Sequence, residues 1–380
     1  MNQPNVVIAG IRHQPLSIEW IQALRGLACI GVVLTHARYF MLDTPQWALA
    51  QQLFSPGAAG VDLFFVISGF IMAYTTWSSG RDEALPFLFR RIVRIWPPLL
   101  VMCLIWVFMM GGGIWVFKDP ATLAIFLRTV FFLPVNPQTP PFFGMLVPVA
   151  WTLVFEMYFY LMFAISLLFG RWRWIALHAW VAASVVVFPL SLRGFNMDPR
   201  LDLGLSPSYL NVVTSPLVLE FVFGIWAAFI YLNSWTLKSV RQCRILLVFI
   251  SVTAVWLCYK QILPFHGPGG WGVAAAALVM ALALVSKTLH FSPPRAVAWL
   301  GTISYSLYLT HTCTQQLLIR YVEPLGVNTH TWTFVGYSTI FCCLLAWPYY
   351  ETVETRLSQF LRRVLRYAAS GAGRIAGRQV

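Results

Sequence analysis

Apolar runs of about twenty residues recur along this chain, separated by short polar breaks. An α-helix needs about 20 apolar residues to cross the hydrocarbon core of a bilayer. The pattern predicts ten such helices, at roughly 19–40, 58–77, 96–116, 150–169, 173–192, 209–232, 244–262, 270–289, 298–320 and 332–350. Residues 121–133 are apolar too, but they are few and are interrupted by Arg128, so they read as an interfacial or re-entrant segment. Basic residues test the count. With the N-terminus inside, eighteen Lys and Arg fall on the cytoplasmic side and six on the other, while Arg25 and Arg38 lie within the first run. That asymmetry follows the positive-inside rule. The expected fold is an all-α polytopic membrane bundle of about ten transmembrane helices with both termini cytoplasmic. An eleventh span would place the basic tail outside.

Composition agrees with this class. Of 380 residues, 59% are hydrophobic and only 10% charged, and the mean hydropathy is +0.71. A soluble domain carries about 25% charged residues. The expected organisation is a cytoplasmic N-terminal segment (1–18), a ten-helix membrane domain (19–350) and a basic cytoplasmic tail (351–380). Nothing before Trp20 resembles a cleavable signal, so the first run is expected to stay as a helix. The net charge of +13 is mostly a topology signal and does not point to nucleic acid. The seven cysteines lack metal-ligand spacing and read as small apolar residues; neither metal nor disulfide is expected. The loop at about 117–149 is rich in proline, which favours a fixed, extended path.

Ionisable residues inside the apolar runs carry the chemistry, because each is costly there. Arg25 and His36 share the first helix. Their eleven-residue separation turns through about 1100°, close to three full turns, and rises about 16 Å. They should face one side at two depths. Asp62 sits a turn into the second span; it fits a polar interior, or a carboxylate satisfied by the positive end of its own helix. Arg90, Arg91 and Arg94 precede the third span at the cytoplasmic face. Arg91 and Arg94 are helix neighbours, suited to phosphate groups or equally to lipid headgroups. Glu156 in the fourth span and His311 in the ninth come out at a depth similar to His36 and Asp62.

These residues sit in recognisable strings. They are Leu24-Arg25-Gly26 through His36, Gly60-Val-Asp-Leu-Phe-Phe-Val-Ile-Ser-Gly-Phe70, Arg90-Arg91-Ile-Val-Arg94-Ile-Trp-Pro and Trp151-Thr-Leu-Val-Phe-Glu156-Met-Tyr-Phe-Tyr160. Leu300-Gly-Thr-Ile-Ser304-Tyr305-Ser-Leu-Tyr-Leu-Thr-His311 and Tyr350-Glu-Thr-Val-Glu354 follow in order. The chain thereby resembles the bacterial membrane acyltransferases of acyltransferase family 3, especially the exopolysaccharide and O-antigen O-acetyltransferase-like branch. It departs from that pattern at Met157, where a second acidic residue is common, and at Thr355-Arg356, where a basic residue and proline are common.

The resemblance implies a ten-helix enzyme of the bacterial inner membrane. It would move an acyl group, usually acetyl, from cytoplasmic acyl-coenzyme A to a sugar hydroxyl of a surface polysaccharide or its lipid-linked precursor. Acetyl-coenzyme A is then a donor substrate and no cofactor is held permanently. Membrane lipids are partners, and polysaccharide-synthesis machinery is a candidate one. In the family the Arg/His pair and the Arg-x-x-Arg pair are essential, matching Arg25, His36, Arg91 and Arg94. The expected mechanism has His36 as general base, or as the residue that takes the acyl group first, with Asp62 or Glu156 orienting its imidazole. Arg90, Arg91 and Arg94 are expected to hold the donor's phosphates, and Arg25 its arm; His311, Ser304 and Tyr305 are further site candidates. A transporter or flippase is the competing class, but the chain shows neither inverted repeats nor paired broken helices.

Overall fold

The computed structural model describes residues 18–110, 118–192 and 196–363, with 7–8, 11–12, 113 and 194. Most of the expected N-terminal segment, and the tail beyond 363, lie outside the described residues. Apart from one antiparallel pair, β1 (Val7–Ile8) with β2 (Ile11–Arg12), the regular structure of the described residues is helical.

The helices are α1 (Glu19–Ala37), α2 (Trp47–Phe54), α3 (Gly60–Thr76), α4 (Ala84–Met110), α5 (Pro120–Val130), α6 (Trp151–Leu167) and α7 (Arg173–Val181). There follow α8 (Phe188–Leu192), α9 (Leu210–Val213), α10 (Val218–Leu232), α11 (Val240–Tyr259), α12 (Trp271–Val285), α13 (Arg295–Val322) and α14 (Trp332–Tyr349). Each of the ten expected segments is largely helical in its described residues. By length and apolarity seven helices among the described residues qualify as membrane spans, ending with Val240–Tyr259. Of the other three, α12 is shorter at 15 residues, while α13 carries more polar side chains over its 28. This is a multi-pass membrane protein.

Two helix boundaries differ from expectation, and both matter for function. The third span begins at Ala84 rather than near 96, because the helix runs through Pro97 and Pro98. The stretch is packed by two tyrosines: Tyr305 Oη donates to the Ile95 carbonyl at 2.9 Å, and Tyr349 Oη to that of Pro98. Arg91 and Arg94 therefore lie well inside α4. The last helix also continues past 350, through a π-helical stretch Tyr350–Leu357. Within it Glu354 accepts a hydrogen bond from Ser306 of α13 at 2.6 Å. The expected re-entrant segment is α5, eleven residues capped by Asp119, whose carboxylate accepts from Ala121 and Thr122. At 1.5 Å per residue it spans about 16 Å, roughly half a hydrocarbon core. The 117–149 loop is thus partly helical rather than extended throughout.

Packing pairs α1 with α13 and α3 with α10. Both crossings are backbone-close. A β-carbon at Gly69 would overlap the Phe221 carbonyl, and one at Gly224 that of Val66; at the other crossing, one at Gly301 would overlap the Gln22 carbonyl. Small residues allow such approach, on which helix association in lipid depends. The α1–α13 seam is further stitched by Cys29 Sγ to the Ser304 carbonyl at 3.2 Å and by Gln315 Nε2 to the Val33 carbonyl at 3.1 Å. Replacing Gly224 with Leu should force α3 and α10 apart, since rigid backbone cannot yield as a side chain does. Overpacking of this kind costs about 3 kcal/mol or more. The variant is expected to melt several degrees lower in detergent, as followed by fluorescence-detected size exclusion.

Candidate active site

Five helices build a cavity around charge. Its volume, traced by the centre of a water-sized sphere, is about 80 Å³, room for several waters at about 10–15 Å³ each. Arg25 enters from α1, Arg91 and Arg94 from α4, Ser68 from α3, Glu156 and Tyr160 from α6, and Ser304, Tyr305 and Tyr308 from α13. Glu156 Oε1 accepts hydrogen bonds from Tyr160 Oη and from Ser68 Oγ, the latter at 3.4 Å. The Arg91 guanidinium lies 5.2 Å from the centre of the Tyr160 ring and 5.3 Å from that of Phe87, in cation–π range. Arg25 donates to Gln22 Oε1 at 3.3 Å. None of the three cavity arginines forms an ion pair within 4.0 Å among the described residues. Three guanidinium groups thus share one cavity-lining carboxylate, with Glu354 close to Arg25 and Arg94, leaving fork donors free for an anion.

Beyond the cavity lies a pair of imidazoles. The ring of Tyr308, a cavity-lining residue, is 5.9 Å from that of His311, whose ring is in turn 4.9 Å from His36 at 68°. His311 Nε2 and His36 Nδ1 are 3.3 Å apart. His36 Nδ1 also lies 2.9 Å from the Val32 carbonyl. A carbonyl only accepts, so the His36 proton sits on Nδ1 and leaves Nε2 with its lone pair.

Several expectations are corrected by this arrangement. Neither Asp62 nor Glu156 orients His36. Asp62 is fully buried, and its oxygens are taken by His266 Nδ1 at 2.8 Å and the Gly267 N–H at 2.9 Å, both from the α11–α12 connection. Glu156 belongs with the arginines, not with the histidines. Depth along the helices does not fix direction around them, and these carboxylates point into different pockets. Arg91 and Arg94 are not surface charges but cavity walls, because α4 starts early. Arg90 does not join them: it is exposed and paired with Glu83. Ser304 and Tyr305 do line the cavity.

Sequence reasoning missed Ser68, Tyr160, His266 and Glu220. Glu220 is fully buried beside the Asp62 carboxyl group. It carries the same signal as Asp62, a carboxylate inside an apolar run. His266 sits in a loop between apolar runs and has no such signal. Its ring stands edge-on to Trp271 at 4.9 Å and Trp151 at 5.4 Å.

A multi-pass membrane bundle with an arginine-lined internal cavity beside paired histidines defines a class in which polar chemistry is held within the span region. The chain belongs to the acyltransferase family whose description reads "Acyltransferase domain", which it matches over residues 18–351. It is similar to the exopolysaccharide production protein ExoZ of Rhizobium meliloti, at 30% identity over 302 residues, covering 74% of this chain and 84% of that protein. It is also similar to the peptidoglycan O-acetyltransferase OatA of Listeria monocytogenes, at 26% identity over 79% of this chain and 50% of that protein. Nodulation protein 10 of Rhizobium leguminosarum is 25% identical over 90% of this chain and 95% of its own length. No solved structure matches significantly.

Proposed function

We propose that this protein is an O-acyltransferase of the bacterial inner membrane, with both termini cytoplasmic. It moves an acyl group, acetyl foremost, from acyl-coenzyme A to a sugar hydroxyl of a polysaccharide or its lipid-linked precursor. The observation that carries this reading is the cluster of three arginines, without ion pairs among the described residues, around one cavity from which Tyr308 and then His311 lead to His36 and its free ring nitrogen. Family membership and the printed roles of relatives support the acyl chemistry and the sugar acceptor. The arginines supply the charge for a phosphorylated donor.

In this reading Arg91 and Arg94 bind donor phosphate, and Arg25 steadies the arm leading to the thioester. His36 Nε2 takes the proton of the acceptor hydroxyl as its oxygen attacks the thioester carbonyl. The carbonyl π pair moves onto oxygen, then returns as the C–S bond breaks. The departing thiolate receives the proton from His36, so ester and free thiol form with no net proton change.

Membranes containing the protein, incubated with acetyl-coenzyme A labelled in the acetyl group, should place label in the polysaccharide fraction, and membranes from a deletion strain should not. The polysaccharide should also lose O-acetyl signals in NMR on deletion. Movement of glycan across the membrane without label would instead identify a transporter.

A further inference from the structure

Imidazole bases in acyl transfer are commonly held by a carboxylate; among the described residues, no carboxylate bonds to His36. We propose that His311 fills that position. It is a positioning residue whose Nε2 lone pair accepts the Nδ1 proton of His36, fixing the tautomer that leaves His36 Nε2 basic. The inference rests on His36 being the base of the proposed reaction.

The tautomers follow from the neighbours. His311 Nδ1 lies 2.7 Å from the Tyr308 carbonyl and 3.2 Å from that of Leu307. Both are acceptors, so Nδ1 carries the proton and the neutral ring presents a lone pair at Nε2. That atom faces His36 Nδ1 at 3.3 Å, where the proton is shared with the Val32 carbonyl at 2.9 Å. His311 is fully buried, and Cys342 Sγ donates to the His311 carbonyl at 3.8 Å. The ring is thus held on both sides of its function: its proton is committed to backbone and its lone pair to His36.

The chemistry differs from that of a carboxylate-held base. When His36 takes the acceptor proton on Nε2 it becomes a cation, and its Nδ1–H then donates more strongly to two neutral acceptors. His311 keeps its own proton throughout. The resting pair is neutral, so no permanent negative charge is buried there, a placement that is costly inside a membrane. Positioning is also coupled to packing, because the α1–α13 seam beside the rings is bonded from Gln315 Nε2 to the Val33 carbonyl at 3.1 Å.

The test measures transfer from labelled acetyl-coenzyme A to polysaccharide in membranes carrying His311→Leu, His311→Gln, His36→Ala and the His36→Ala/His311→Leu double variant. His311→Met, similar in volume and without a nitrogen acceptor, replaces Leu should the Leu protein fail to accumulate. We expect His311→Leu to lower kcat about 10- to 100-fold with KM for acetyl-coenzyme A unchanged, the loss of a group that serves the base rather than donor binding. His311→Gln, which retains an acceptor oxygen, should stay within about fivefold of the parent. The double variant should be no worse than His36→Ala, because His311 acts through His36. A Leu or Met variant with parental kcat, or a folded Gln variant as poor as Leu, overturns the role. So does a double variant clearly worse than His36→Ala. If His36→Ala itself transfers normally, the base assignment fails instead, and the two failures are distinguishable.

Discussion

His36→Ala is expected to reduce acyl transfer to polysaccharide by about 10²- to 10⁴-fold, the range associated with a positioned general base. Protein level in the membrane should be unchanged. His36 is half-buried, and alanine is a good helix former, so α1 loses neither its backbone bonds nor the close crossing at Gly26. The main structural cost is the unpartnered Nε2 of His311, about 1–3 kcal/mol for a buried acceptor. His36→Gln sharpens the result. Glutamine can still hydrogen-bond but cannot take a proton, so its transfer should be as low as that of alanine. Immunoblots of membranes combined with O-acetyl quantification by NMR separate lost chemistry from lost protein. Near-parental acetylation in either variant would remove His36 from the reaction.

The pairing of Arg25 with His36 on one side of α1 is legible because it depends only on helical period. Both side chains do face the polar interior, one into the arginine cavity and the other toward His311. The composition of the cavity was half legible. Arg91, Arg94 and Glu156 are conspicuous as charges in apolar surroundings, yet their meeting depends on where α4 begins. Pro97 and Pro98 suggest a boundary, yet α4 runs through them, packed against Tyr305 and Tyr349 from distant parts of the chain. The carboxylate assignments failed for a related reason. Depth can be counted from sequence, but azimuth between helices is set by packing, and the Gly69–Gly224 crossing brings Asp62 against Glu220 on α10. Its partner His266 comes from a connection between helices, where no periodicity operates.

The cavity arginines provide the second large effect, and it runs in opposite directions for activity and stability. A charge-assisted hydrogen bond contributes about 1.5–3 kcal/mol, so each of Arg91→Gln and Arg94→Gln should raise KM for acetyl-coenzyme A by about 10- to 150-fold. The double variant should approach the activity of His36→Ala. Arg90→Gln is the control: it is exposed, paired with Glu83 and outside the cavity, so its KM should barely move. An exposed pair of that kind contributes about 0–1 kcal/mol. Stability distinguishes a binding role from a structural one. Arg91 sits against Arg94 and Arg90 with Glu156 as its one carboxylate neighbour, whereas Glu354 as well as Glu156 offsets the charge of Arg25 and Arg94. Removing the Arg91 charge relieves repulsion among the arginines, and the polar amide of glutamine still reaches the cavity water. Without donor present, Arg91→Gln should therefore melt in detergent at or above the parent temperature while transferring poorly. Added acetyl-coenzyme A should raise the parent's melting temperature by mass action, and the variant's much less. A joint fall in melting temperature and transfer, with the same donor-induced shift as the parent, would make these arginines structural and leave the donor to be bound elsewhere.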